Sequence, residues 1–559
     1  KGLILLMKEF LKNNYLGFEK DLFSAFIISN LNLTSQNGQL GFMTPFVWMF
    51  ISSYQGLREE IISKHIISSL VQLEYSGFEG ATVPICTFTL TKGYIKGFVG
   101  SYIKLSDFKG SKNQSPKTLE AINNHNCGWF YNSKPDDFKK IAGSPIAYWA
   151  NEKDINIFEK GEKLESIGKL GKGSDTGKNE LFIRHWSEVN LNSIDFSRNP
   201  STDNPFIKKY YPTHKGGGFR RWYGFTEWVL DWKNDGKNIK EYGKGNIRNR
   251  QYFFEPCITW GKITSNNFSV RFVERGSIAD DASPSGYFDT KNNSILDLLN
   301  SKICSRLLKI LSPTLNFQVG DISRLPFIQS NKTIGVSENC IEISKKDWDS
   351  YEISINFNKP FLIPSEITES DISNSYKRTR QTWMSMTNKL TSLEEHNNKT
   401  LINIYGLEQE LTPDVPLKEI TLTCNPYYRY GGEATEEQLE QRLQSDTIAE
   451  LISYTIGCMM GRYSLDRVGL VYAHEGNVGF DELVAEGAYK KFPADDDGIL
   501  PLLDEERFPD DVYSRFEKFI ATAWDEDKLQ QNLDFIAESL RLYNIKAKNG
   551  ESSAETIRR

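Results

Sequence analysis

Histidine and cysteine are scarce here, six and seven in 559 residues. Cys86, Cys127, Cys257, Cys304, Cys340, Cys424 and Cys458 are scattered, odd in number and form no CxxC pair. That spacing argues against a zinc site or a disulfide framework and for a reduced, cytoplasmic compartment. No HExxH is present, and no metal is expected. No apolar run is long enough to span a bilayer: the longest, around residues 41–51, is broken by Thr44 and Pro45 and reads as a buried strand and turn. No membrane partner is expected, and no cleavable secretory signal is evident after Lys1. No PD…(D/E)xK arrangement has convincing spacing. The run Gly173–Lys178 fails as a phosphate-binding loop, because Lys172 stands where a glycine is needed and Asn179 where Ser or Thr is needed. What survives there is a tight turn whose amides suit a DNA phosphate.

A chain of 559 residues exceeds a single core, so roughly three or four domains are expected. With 39% hydrophobic and 25% charged residues, the composition is that of a soluble globular protein. The net charge of −6 hides a division. Residues 205–275 hold fourteen Lys/Arg against six Asp/Glu, an excess of eight positive charges. Residues 481–540 hold six against seventeen, an excess of eleven negative charges. A basic segment beside an acidic one suits a protein that grips a polyanion with one part and does something else with another.

Periodicity gives the coarse organisation. Residues 21–33 read as a helix, 39–44 as a strand, 54–67 as a helix, and 71–75 and 82–90 as strands. This α-β-α-β-β order suggests the closing half of a doubly wound α/β sheet with an antiparallel final hairpin. From 166 to 330 short apolar runs alternate with Gly/Asn/Asp turns, a mixed α/β pattern with one helix at 294–310. Residues 369–411 suggest one or two long spacer helices, and 421–559 a mainly helical domain with an apolar helix at 448–458 and an acidic loop at 493–501.

The most informative run lies in the middle. Thr176-Gly177-Lys178-Asn179 leads through Arg184 to Trp186, and Lys215-Gly216-Gly217-Gly218-Phe219-Arg220-Arg221-Trp222-Tyr223-Gly224 follows. Consecutive glycines are entropically costly unless a backbone must come close to something. Arginine and lysine interleaved with aromatics suit a nucleic-acid strand. Arg220 and Arg221 are therefore expected to contact DNA, the alternative being a cation–π cluster that only stabilises a loop. Asn425-Pro426-Tyr427-Tyr428 looks like the N-P-P-[YF] signature of amino-group methyltransferases but lacks its second proline, and is read as a structural turn. Asp495-Asp496-Asp497 is read as a solvated turn and not a cation site.

Many of these strings, in one order, resemble the adenine-specific DNA methyltransferases of the BREX phage-defence systems (the PglX family), relatives of type IIG restriction–modification enzymes. The resemblance runs through Asp21-Leu22-Phe23, Gly41-Phe42-Met43-Thr44-Pro45, Leu57-Arg58, the middle run, Ser312-Pro313-Thr314-Leu315-Asn316, Ile456-Gly457-Cys458, Gly461-Arg462-Tyr463 and Pro493–Pro501. It implies methyl transfer from S-adenosylmethionine to adenine N6 in a short DNA site, double-stranded DNA as partner, and other phage-defence proteins as possible partners. It also implies that the donor-binding glycine motif and the N-P-P-[YF] motif precede the segment where this chain begins, so no cofactor is expected on this segment. Five divisions follow: 1–105, the C-terminal half of a Rossmann-like methyltransferase sheet; 106–165, a connection; 166–330, a mixed α/β target-recognition domain; 331–420, a helical spacer; 421–559, an acidic, mainly helical domain. The expected DNA-binding residues are Thr176, Gly177, Asn179, Arg184, Lys215, Gly216, Gly217, Gly218, Arg220, Arg221, Trp222 and Tyr223. Phe78 occupies the position at which an aromatic of related enzymes packs on the flipped adenine, or else it is a core residue. The competing reading is a stand-alone DNA-specificity subunit without catalysis, and a third is a scaffold that binds protein only.

Overall fold

The computed structural model describes every residue except 1–4, 80–82, 199–204, 265–266, 289–291, 314–315, 331–334, 365–370, 474–477, 504–507 and 509. Thr82 of an expected strand and Thr314 and Leu315 of the resembling run lie outside the described residues. The chain forms two compact units, one of residues 1–169, 302–332 and 402–411, the other of 170–301, 333–401 and 412–559.

The first unit opens with helices α1 (Leu5–Asn14) and α2 (Leu22–Leu33). The Asp21 carboxylate accepts the first amide of α2, which starts that helix where the sequence pattern places it. Five strands follow: β1 (Gln39–Pro45), β2 (His65–Gln72), β3 (Ile85–Lys92), β4 (Gly100–Lys104) and β5 (Phe130–Ser133). They lie in the order β1-β3-β2-β4-β5. β3 runs antiparallel to both β1 and β2, β4 parallel to β2, and β5 antiparallel to β4. Helix α3 (Gln55–Lys64) is shorter than the expected 54–67, because the β-branched Ile66 and Ile67 join the ladder to Thr91 and Leu90. Ile27, Trp48, Leu57, Ile61, Leu70 and Phe88 fill the core beneath the sheet. Arg58 is fully buried there, and its guanidinium donates to the carbonyls of Trp48, Ile51 and Gly143.

The second unit is mixed. β6 (Ile183–His185), β7 (Tyr210–His214) and β8 (Trp228–Asp231) pair antiparallel, and β11 (Ile278–Ala279) adds parallel to β7. β9 (Cys257–Trp260), β10 (Val270–Val273) and β12 (Ser285–Tyr287) make a second sheet centred on β9. The single helix expected at 294–310 is two, Asn292–Leu299 in this unit and Lys302–Leu311 in the first. The break has a local cause: the buried Asn300 amide turns aside to bond both the N–H and the C=O of Val270, at 2.9 and 3.0 Å. That side chain serves the edge of β10 in place of the helix.

Helices dominate the rest: α4 (Ser337–Trp348), α5 (Ile372–Tyr405), α6 (Glu436–Met459), α7 (Val512–Ala523) and α8 (Leu529–Leu542). Thr435 and Gln438 cap α6 reciprocally. Ile448, Leu451, Phe516, Phe519, Ile520 and Ile536 form the core shared by α6, α7 and α8. All seven cysteines are free thiols. Among the described residues no helix is long and apolar enough to cross a membrane.

His214 ends β7 in a sealed position, its ring nitrogens 2.8 Å from Ser277 Oγ and 3.1 Å from Ser285 Oγ. Burial, reinforced by the Arg271 charge, pushes its pKa down from 6.5 to about 3. Below its unfolded value the unfolded chain binds a proton that the native site refuses, so stability falls with pH. The His214→Gln variant lacks this term. The stability advantage of wild type over the variant, measured by urea unfolding, should shrink by about 1.4 kcal/mol per pH unit from roughly pH 6 to 4.

Candidate nucleic-acid interface

The predicted residues divide into a buried set and an exposed set. Arg220, Arg221, Trp222 and Tyr223 are interior, with Arg220 1% and Trp222 0% exposed. Arg220 Nη2 meets Asp347 Oδ2 at 2.9 Å, its Nη1 donates to Thr423 Oγ1 at 3.0 Å, and its Nε donates to the Tyr223 carbonyl at 2.7 Å. Asp347 is itself enclosed, accepting the amides of Thr423 and Cys424 at 2.7 and 2.9 Å. Arg221 pairs with Glu394 at 2.5 Å and Glu419 at 3.2 Å. The Trp222 indole donates to the other Glu394 oxygen at 2.7 Å. The Tyr223 hydroxyl lies within bonding distance of Glu274 and Asn356.

The expectation that these four side chains reach DNA is therefore corrected. A guanidinium sealed against a carboxylate in the interior is out of a phosphate's reach, and its release would strand the carboxylate there. The four residues instead fasten the turn to α4, α5 and residues 417–425. Trp222 pays for this with φ +70°, a left-handed conformation that a bulky residue adopts only when its surroundings compel it.

The glycines are reassigned by the same test. A Cβ on Gly216 would stand 2.4 Å from the Ala282 carbonyl oxygen, and one on Gly217 would stand 2.4 Å from the Phe225 ring. Both are small because the protein's own atoms press on them. Only Gly218 faces open space, with nothing within 4 Å. In the turn at 175–179 the Gly177 amide donates to Asp175 Oδ1 at 2.9 Å, and the Lys178 amide to Thr176 Oγ1 at 3.2 Å. Buried Thr176 donates to Asn179 in turn. Thr176, Gly177 and Asn179 thus shape a closed turn, and those two amides are not aimed at a phosphate. Half-buried Arg184 uses Nη1 on the carbonyls of Glu180 and Ile183.

An exposed cationic rim remains, and four loops build it. A Cβ on Gly177 would lie 2.7 Å from Lys244 C, so the turn bearing Lys178 abuts the loop bearing Lys244. Asn249 donates to the Lys172 carbonyl at 2.9 Å, holding the first loop against residues 246–250. Asp281 accepts from Arg248 at 2.7 Å and Lys262 at 3.0 Å. Gly261 packs on Gly217, and His214 accepts the Asp280 amide through its carbonyl, which places Lys215 beside the same loops. Lys215 Nζ sits 4.5 Å from the Trp228 ring, whose centroid lies 3.9 Å from that of the His185 ring at a tilt of 33°. Lys178 and Lys244 are exposed, Lys172 and Lys215 half-exposed, and none of the four makes an ion pair among the described residues. Lys172, Lys178, Lys244, Arg248 and Lys262 were not singled out from the sequence as contacts. Lys244, Arg248 and Lys262 belong to the positive excess of residues 205–275, whereas Lys172 and Lys178 lie outside it and are brought beside them only by the fold.

Elsewhere, Asn425 donates to the carbonyls of Leu417 and Ile420 at 2.7 and 2.8 Å and accepts the Tyr427 amide. Its amide is spent inside the protein, as a structural turn requires. Asp495 accepts the amides of Asp497 and Gly498 and pairs with Arg515. Among the described residues no His/Cys/Asp/Glu group could hold a metal. Phe78, in the loop after β2 of the first unit, is 39% exposed and so is not a core residue.

The comparisons with known proteins agree with the resemblance. Residues 3–78 match the model of the Eco57I restriction-modification methylase family. The adenine-specific methyltransferase BrxX of Escherichia coli O9:H4 (strain HS) is 39% identical over 568 residues, covering 100% of this chain and 45% of that protein. The adenine-specific methyltransferase PglX of Lacticaseibacillus casei (strain Zhang) is 34% identical over 575 residues, covering 99% of this chain and 45% of that protein. Among solved structures, the Type IIL restriction-modification enzyme MmeI in complex with DNA aligns with a TM-score of 0.42 and 12% identity, over 74% of this chain and 53% of that one. This chain spans a little under half the length of both curated relatives.

The buried pairs predict an asymmetry. Arg220→Ala should cost about 3–5 kcal/mol in chemical unfolding, because Asp347 is left charged without its partner. Lys178→Ala at the rim should change stability by less than about 0.5 kcal/mol. Equal effects of the two variants would contradict the buried network.

Proposed function

We propose that this chain, kin to the BrxX and PglX adenine-specific methyltransferases along its whole length, is the DNA-reading portion of an adenine-N6 methyltransferase that uses S-adenosylmethionine. The observation that carries the reading is the set of exposed and half-exposed lysines, Lys172, Lys178, Lys215 and Lys244, on loops of the second unit, with Gly218 open to solvent three residues after Lys215. Its charges project from loops on a rigid sheet scaffold, and the glycine lets a wide polyanion come close. In this reading the lysines fix position on the phosphate backbone. Trp228 and His185, held under Lys215, supply a flat face beside that track.

The strand order of the first unit supports its assignment as the later part of a methyltransferase sheet. β3 is inserted antiparallel between β1 and β2, which matches the hairpin that closes such sheets. Methyl transfer then depends on residues that bind the donor and grip the target amine, which are not found among the motifs of this chain. Phe78 is exposed in the loop after β2, and in this reading it is the aromatic that packs on an extruded adenine. A partner role in phage defence fits the acidic segment 481–540, which would repel phosphate and suits a basic protein surface.

Fluorescence anisotropy of a labelled duplex over a range of salt concentrations tests the reading. Binding should weaken steeply with salt, and Lys178→Ala, Lys215→Ala and Lys244→Ala should each reduce the logarithmic slope by about one. A flat salt response, or slopes unchanged in all three variants, would remove DNA reading as the function of this surface and favour a protein-binding scaffold.

A further inference from the structure

We propose that Arg248 is the base-reading residue of this surface, mounted to meet the edge of a guanine while the lysines around it hold phosphates. The inference rests on the DNA-reading proposal and adds the group that tells one base pair from another. The mount begins at Ser174, whose amide donates to the Ala279 carbonyl at 2.7 Å and whose carbonyl accepts the Asp281 amide at 3.0 Å. Asp175 and Asn246 exchange backbone hydrogen bonds at 3.0 and 2.7 Å. The loops 244–250 and 279–282 are thus fixed to one pair of residues, and Arg248 stands where they meet. The next residue, Asn249, donates to the Lys172 carbonyl at 2.9 Å, which sets Arg248 among the rim lysines.

Its guanidinium is held on two sides. Nη1 donates to Asp281 Oδ1 at 2.7 Å. The side-chain carbonyl of Asn246, in the amide orientation that satisfies it, accepts from Nη2 at 3.0 Å and from Nε at 3.2 Å. Asp281 is fixed in turn, its other oxygen 3.0 Å from Lys262 Nζ. Burial works against its charge, but Lys262, Arg248 and Lys172 hold its carboxyl below the usual pKa, so it stays ionised near neutrality. These bonds leave one N–H on each terminal nitrogen of Arg248 without a partner among the described residues. The side chain is 34% exposed, so a ligand can reach them.

Charge decides which ligand that is. Asp281 already balances the guanidinium, which weakens its pull on a phosphate; Lys172, Lys178, Lys215 and Lys244, unpaired among the described residues, serve phosphates better. Hydrogen-bond direction is what remains to Arg248, and guanine O6 and N7 are two neutral acceptors that an arginine meets in the major groove. An ion pair this exposed adds little stability by itself. Holding a planar donor in one pose is the use that the Asp281 and Asn246 contacts do have.

The test uses the full chain and a pool of duplexes with a randomised core, selected by binding and then sequenced. Arg248→Lys keeps the charge and loses the planar donor. It should bind unselected duplex with wild-type affinity and salt slope, and lose roughly tenfold to a hundredfold of the preference at one guanine, the rest of the motif unchanged. Asp281→Asn loosens the guanidinium and removes a negative charge. It should tighten binding to unselected duplex while weakening the preference at that same guanine, whereas damage to the fold would weaken both. Lys178→Ala should lower affinity and salt slope with the motif intact. If Arg248→Lys enriches the wild-type motif at every position, the proposal is overturned. It is overturned as well if wild type binds with a steep salt slope yet enriches no guanine, and in both cases the phosphate-gripping surface stands. A flat salt response of wild type removes that surface and the reader together.

Discussion

Two buried arginines and three carboxylates set the form of the second unit. Arg220 against Asp347, and Arg221 against Glu394 and Glu419, join a turn of the sheet region to helices 120 to 200 positions further along the chain. Ion pairs of this kind are weak evidence for raw stability, since well-packed apolar groups of the same shape often do as well. What they do supply is direction. A guanidinium with its donors matched to Asp347, Thr423 and the Tyr223 carbonyl tolerates one orientation of the turn. Trp222 is held at positive φ within that turn, while the Ala282 carbonyl and the Phe225 ring keep Gly216 and Gly217 small. The same orientation leaves Lys215 and Gly218 at the outer end of the turn. The interior charge is the mount, and the exterior charge is what the mount presents.

This arrangement shows where sequence reading succeeded and where it had to fail. The first unit was legible in outline because its signals are local. Asp21 caps a helix one residue later, and the alternation in 39–45 pairs with a strand rich in β-branched residues. The boundary at residues 64–65 was misplaced because Ile66 and Ile67 satisfy a helical stripe as well as a strand, and only the ladder to β3 decides between them. The helix break at Asn300 was invisible for the same reason, its cause being the backbone of Val270. The arginines were misread more seriously. Arginine between glycine and tryptophan has the same composition whether it meets phosphate or carboxylate, and the carboxylates stand far away in sequence. The rim was only half visible: Lys215 was singled out and Lys244 lies within the positive excess of 205–275, but Lys172 and Lys178 lie outside that stretch and join them only through the fold.

The acidic counterpart of that excess is not one surface. Asp511 caps α7 and pairs with Arg558, and Asp495 is committed to a turn and to Arg515. Those carboxylates hold the C-terminal helices in place. Only the remainder is free to repel DNA or to meet a partner, so the sequence count of seventeen overstates the field that a partner would feel.

Helix α4 belongs to the mount. Asp347 on it holds Arg220, and Lys345, two positions earlier, pairs with Glu274 at 2.7 Å and lies 5.4 Å from the Tyr223 ring. The helix cannot leave its place without exposing the Asp347 charge, so whatever holds α4 also holds the turn that carries Lys215.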